Sequence, residues 1–92
     1  MNTPGIDPIV QLFARQGSPA EVAALLDVFL TENEREMLAE RLAIFRELAK
    51  GSSQREVAAT LSCSVVTVTR GAKVYRQHKA LIDQWLAATA AL

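Results

Sequence analysis

Apolar positions along this chain recur at steps of three and four, the period of helices that bury one side. Three such stretches begin in the same way: Ser18-Pro19-Ala20-Glu21, Thr31-Glu32-Asn33-Glu34 and Ser53-Gln54-Arg55-Glu56 each set a hydroxyl three residues ahead of a glutamate. That is the capping-box spacing, in which the hydroxyl accepts from the N3 amide and the carboxylate reaches back to the N-cap amide. Pro19 at the first helical position strengthens the first of them. A shorter helix from about Pro8 to Gln16 is expected to stop at Gly17. The pattern therefore predicts helices near residues 8–16, 19–29, 32–50, 54–61, 65–78 and 80–89. In the third, Met37, Leu38, Leu42, Ile44, Phe45 and Leu48 form a broad apolar stripe that Gly51 ends. Arg41 falls inside this stripe, four residues after Met37 and four before Phe45. A guanidinium on a buried face must be paired or must bind an anion. The alternatives here are an ion pair within the chain and snorkelling at the stripe's edge.

After Gly51 come two short helical patterns joined by a tight turn, Ser62-Cys63-Ser64, with Ser62 at a position that is often glycine. Val57, Ala58, Leu61 and Val68 are spaced to pack the pair together, and Ala58 is small enough for a close crossing. This spacing predicts a helix-turn-helix from Ser53 to His78 that reads duplex DNA. Its second helix opens with Val65, Val66, Thr67 and Thr69, where a recognition helix presents residues to base edges in the major groove. Valine methyls can meet a thymine methyl, and threonine hydroxyls suit either base type. The same Val-Val-Thr-Val-Thr run also fits a buried strand; the flanking helices and the lack of a pairing strand tell against it.

Composition agrees with packed helices: half the residues are apolar, only 5% are aromatic, and Ala, Leu and Val dominate. A chain of 92 residues holds one domain, small enough that oligomerisation is expected. No apolar run is long enough to span a membrane, and the opening Met-Asn-Thr-Pro-Gly lacks the features of a secretory signal, so a cytoplasmic location is expected. Net charge is zero, yet it is unevenly spread. Residues 1–45 carry three arginines against seven carboxylates, net −4, whereas residues 46–79 carry seven cations against Glu47 and Glu56, net +5. Such a basic stretch suits phosphates, and a solvated surface of mixed charge is the alternative. The single Cys63 and single His78 have no metal-ligand spacing, and Cys63 reads as a small apolar filler. Scattered carboxylates add no nucleophile–base constellation, so no enzyme is expected.

Leu30-Thr31-Glu32-Asn33-Glu34-Arg35-Glu36, Arg41, Glu47-Leu48, Gly51, Ser53-Gln54-Arg55-Glu56, Thr67-Val68-Thr69-Arg70-Gly71 and Gln84-Trp85-Leu86 together resemble the Trp repressor family. The likeness runs from about Val28 to Leu86, with the blocks in the family's order. It implies an all-α, intertwined homodimer of about six helices, a repressor of transcription that binds double-stranded operator DNA. It also implies L-tryptophan, or a related indole, as corepressor and small-molecule effector, with no other cofactor and no metal. By this resemblance Arg41 stacks on the indole and Arg70 holds the carboxylate, jobs that suit a planar guanidinium. Thr31, Thr67 and Gly71 match further ligand positions, and the backbone carbonyls of Val28 and Leu30 take the ammonium. Val74 stands where the family carries a serine that helps hold the amino group. On the DNA side, Gln54 and Arg55 match positions near phosphates and Thr69 a groove contact, while Val65 and Val66 are similar in type to an apolar pair. Lys73 and Arg76 supply further phosphate neutralisation. Leu42, Phe45, Leu81, Trp85 and Leu86 are expected to be buried in the dimer. Two departures stand beside Val74: the Gly51–Ser53 connection is one residue shorter than the family's, and the segment before Val28 is shorter and dissimilar. The rival readings are a family-like DNA-binding protein indifferent to tryptophan and a helical protein-interaction module that binds no DNA.

Overall fold

A computed structural model describes residues 5–89, and among them all regular structure is helical. The helices are α1 (Ile6–Ala14), α2 (Pro19–Phe29), α3 (Glu32–Ala49), α4 (Gln54–Leu61), α5 (Val65–Gln77) and α6 (Lys79–Ala88). Packing divides the chain between Glu36 and Met37 into two compact units.

The first unit is held mainly by its helix ends. Neither α1 nor α2 contains a buried residue. α1 starts two residues earlier than its pattern suggests, because Pro8 sits in the first turn, where no intrahelical donor is required, and Gly5 caps the helix at φ +92°. It also stops earlier, at Ala14. Gly17 serves the next helix instead, its amide donating to Glu21 Oε1 at 3.0 Å while Ser18 Oγ accepts from the Glu21 amide at 3.2 Å. The Thr31 box closes in both directions, with Glu34 N to Thr31 Oγ1 at 3.1 Å and Thr31 N to Glu34 Oε1 at 2.8 Å. Arg35 ties down the end of α2 by donating to the Leu30 carbonyl at 2.7 Å and pairing with Asp27 at 3.4 Å.

The second unit has a core. Ile44 of α3, Val57 and Ala58 of α4 and Val68 of α5 are buried together, with Leu48, Leu61 and Cys63 packed against them. The α4–α5 packing read from Val57, Ala58, Leu61 and Val68 is thus what forms, and Cys63 fills space in it. Gly51 at φ +94° ends α3 with a Schellman pair, its amide donating to Leu48 O and that of Ser52 to Glu47 O. Ser62 makes the same reversal after α4 at φ +54°, the left-handed region that glycine favours. Four successive features then restart the chain: Ser53 N donates to Glu56 Oε1, Ser53 Oγ accepts from Glu56 N, Ser64 Oγ accepts from Thr67 N, and Ser64 Oγ bonds the Thr67 hydroxyl. At the other end His78 lies between the helices, as both the C-cap of α5 and the N-cap of α6.

The broad stripe on α3 is only partly covered. Ile44 is its one buried member, whereas Met37, Leu38 and Leu42 are exposed. Arg41, expected on a buried face, is exposed too, because α4 and α5 cover the Ile44 side of the helix and leave that of Arg41 open. Of the residues expected to be buried in a dimer, Leu42, Leu81 and Trp85 are exposed in the single chain, and Phe45 and Leu86 are half-buried.

Candidate functional site

Three strips of α5 do three different things. Val68, Gly71, Ala72 and Tyr75 are buried and anchor the helix. Val65 is exposed, and so are Val66, Thr69, Lys73 and Arg76 at steps of three and four. Thr67 and Arg70 face a cleft shared with α3. A helix fixed along one strip can therefore offer a groove-reading strip and a ligand-facing strip at once.

The exposed strip holds the α5 residues expected to meet DNA, and α4 brings Gln54 and Arg55 into the same helix pair. Gln54 and Thr69 are joined directly, the Thr69 hydroxyl donating to Gln54 Oε1 at 2.7 Å. This bond fixes the first turn of α4 against α5 and orients the threonine. The Ser64 cap fixes the start of α5 in the same way, its hydroxyl accepting from the Thr67 amide at 3.1 Å. Val65 and Val66 are 47% and 60% exposed, so their methyls are open to contact.

The cleft is a cavity of about 280 Å³ lined by Met37, Leu38, Glu40, Arg41 and Ile44 of α3 and by Thr67 and Arg70 of α5. Arg41, Thr67 and Arg70, three of the residues expected to hold a ligand, therefore meet there. Among the described residues, neither guanidinium has an ion-pair partner. Gly71 lies beside the cleft for a different reason. A Cβ there would sit 2.9 Å from Ile44 Cγ2, so the glycine lets α5 approach α3. Val74 continues the strip but does not line the cavity. Val28, Leu30 and Thr31 belong to the first unit: Val28 is 82% exposed, the Leu30 carbonyl receives Arg35, and the Thr31 hydroxyl caps α3. A larger cavity of about 550 Å³, between the end of α3 and α6, contains none of the expected site residues.

Sequence reasoning missed two features. Glu40 entered only as one of the acidic half's carboxylates, yet it lines the cleft. The α5–α6 corner is locked by a cluster in which the Tyr75 hydroxyl donates to Asp83 at 2.6 Å and Lys79 pairs with Asp83 at 2.7 Å, its ammonium 5.7 Å above the Tyr75 ring. The hydrogen bonds from Lys79 and then Tyr75 hold the Asp83 carboxyl below its ordinary range. The i, i+4 step from Lys79 to Asp83 was a usable signal; nothing in the spacing singled out Tyr75.

The family profile described as Trp repressor protein matches residues 5–90. The chain belongs to the Trp repressor family. Its relatives include a Trp operon repressor homolog of Vibrio vulnificus (strain YJ016), 35% identical over 86 residues, covering 88% of this chain and 84% of that protein. Another, from Aliivibrio fischeri (strain MJ11), is 34% identical over 79 residues, 85% and 73% of the two chains. A third, from Xylella fastidiosa (strain M23), is 37% identical over 65 residues, 70% and 71%. No solved structure matches the chain with comparable significance. Membership of the Trp repressor family makes this chain a DNA-binding transcriptional repressor with a helix-turn-helix, not an enzyme. No helix among the described residues is long and apolar enough to cross a membrane.

Proposed function

We propose that this Trp repressor family member acts in the cytoplasm as a homodimeric, ligand-gated repressor, one domain whose reading head spans residues 53–78. L-tryptophan, or a related indole, is its corepressor. The observation that carries this is the meeting of Arg41 and Arg70, neither with a counter-charge among the described residues, on one small cavity with an apolar side. A carboxylate suits the fork of Arg70, and an aromatic ring suits the guanidinium plane of Arg41. The ligand would lie against the strip of α5 next to the one that faces DNA. Filling the cleft then shifts the population of head orientations toward one that fits successive major grooves, by as much as the ligand prefers that orientation. In this reading Arg55, Lys73 and Arg76 neutralise phosphate, Gln54 lies near it, and Val65, Val66 and Thr69 face base edges. Thr67, Gly71 and Val74 complete the ligand's surroundings on α5. Leu42, Leu81 and Trp85, each exposed in the single chain, supply apolar surface for a second copy.

Calorimetric titration of the purified protein with L-tryptophan tests the gating. Wild type binds, and Arg70→Ala weakens binding roughly tenfold or more, since a charge-assisted contact is lost. Helical content stays the same. Light scattering tests the dimer, and a monomer at micromolar concentration sinks it. Val74 supports a second reading, a repressor indifferent to tryptophan. Tight DNA binding with no tryptophan binding at millimolar concentration decides for it.

A further inference from the structure

The cleft contains one charge that the reading above leaves unused. Glu40 lines it beside Arg41 and opposite α5, and among the described residues this carboxylate has no ion pair and no hydrogen-bond partner. Its field reaches the turn before α5: burial first, then the charge of Glu40, raises the pKa of the Cys63 thiol. So the cavity offers two guanidiniums, one carboxylate, the Thr67 hydroxyl, and the apolar side chains of Met37 and Leu38. At about 280 Å³ it is near the lower end of the range for small-molecule sites, which runs from about 300 to 1,000 Å³.

A ligand complementary to that set carries an anionic group, a cationic group and an apolar body. An indole acid without an amine satisfies the guanidiniums and the apolar wall but brings no partner for the carboxylate, which then loses hydration without compensation. An α-amino acid satisfies all three. Of the side chains that line the cleft Glu40 alone is anionic, and Val74, further along α5, has no acceptor on its side chain. We infer that Glu40 is the residue that recognises the ligand's amino group, so that the cleft selects an α-amino acid with an apolar side chain over the corresponding amine-free acid. This inference rests on the ligand-gated reading and gives its amine specificity to a residue outside the set named for that reading.

The test is a titration of the full-length protein and of Glu40→Gln with L-tryptophan and with indole-3-propionate, which lacks the amine. Wild type should prefer L-tryptophan roughly tenfold or more, the scale of one charge-assisted hydrogen bond. Glu40→Gln should lose most of that preference by weakening L-tryptophan while leaving indole-3-propionate unchanged or tighter. The thermal midpoint should not move, since the side chain is exposed and unbonded. If both ligands bind wild type and the preference survives in Glu40→Gln, the assignment of Glu40 is overturned and the ligand-gated reading stands. Equal weakening of both ligands overturns it as well. If wild type binds neither at millimolar concentration, the ligand-gated reading falls and Glu40's role falls with it.

Discussion

The α1–α2 pair is the richer in apolar residues, yet the α4–α5 pair is the one that buries them. In α4–α5, Val57 and Val68 are wholly buried, and Ala58, Gly71, Ala72 and Tyr75 close around them. In α1 and α2 no side chain is buried, and Val10, Val28 and Phe29 are more than half exposed. α2, α4 and α5 each begin with a serine cap, whereas Gly5 gives α1 no side-chain bond, so capping does not separate α2 from the α4–α5 pair. The difference lies in small residues at crossing points. Ala58 and Gly71 let helices approach, and α2, though alanine-rich, buries nothing with that freedom. A reading head that must present side chains at fixed positions needs its own core, and this one has it.

Core truncation should separate the two regions most. Val68→Ala should lower stability by about 2–3 kcal/mol in urea denaturation, through lost burial and a residual cavity. Val28→Ala should change it by less than about 0.5 kcal/mol at an 82% exposed site. Equal losses would erase the distinction. Overpacking comes next. Gly71→Ala should cost about 1–3 kcal/mol because its methyl lands 2.9 Å from Ile44 Cγ2, and should cost less in an Ile44→Ala background, where that atom is gone. The caps should show the two regions alike, with Thr31→Ala and Ser53→Ala each losing about 1 kcal/mol.

The smallest effect concerns pH. Hydrogen bonds from Thr31 and Ser53 lower the Glu34 and Glu56 carboxyl pKa values, and those from Lys79 and Tyr75 lower that of Asp83. A lowered pKa means that the folded state binds fewer protons, so these contributions are complete above the ordinary carboxylate range near about pH 4 and fade below it. Lys79 and Tyr75 are both raised, first of all by Asp83, so their contributions are complete below about pH 10 and fade as pH rises through the folded values. Acid loss should therefore appear in both regions. Alkaline loss should be confined to the second unit, at the raised Cys63 thiol and at the α5–α6 corner, where Trp85 fluorescence can follow it and Tyr75→Phe should reduce it.

Much of this was legible in the chain because it is local. The three hydroxyl–glutamate spacings placed the starts of α2, α3 and α4, and the Ser62 turn followed from two helical patterns meeting. Pro8 misled because proline is tolerated anywhere in a first turn, not only at its start. Gly17 misled because a glycine just after one helix can equally serve the cap of the next. The burial of the α3 stripe was misjudged for a different reason: periodicity says which residues share a face, not whether anything covers it. At the site, Arg41 and Arg70 stood out as matches to the family's ligand positions. Glu40 did not, since one glutamate among many on an acidic helix carries no signal until a cavity brings it beside two arginines. Gly71, matched to a ligand position by the family resemblance, has a packing reason in Ile44.

The account turns on the exposed strip of α5 being the surface that meets DNA, and the salt dependence of duplex DNA affinity tests this directly. Each phosphate neutralised releases counterions, so wild-type affinity should fall steeply and linearly on logarithmic axes as salt rises. Lys73→Ala and Arg76→Ala should each weaken binding to a similar degree on every sequence and flatten that slope by about one, whereas Arg15→Ala, in the first unit, should leave it unchanged. A slope that stays the same in both Lys73→Ala and Arg76→Ala, with affinity intact, would contradict the assignment of this strip.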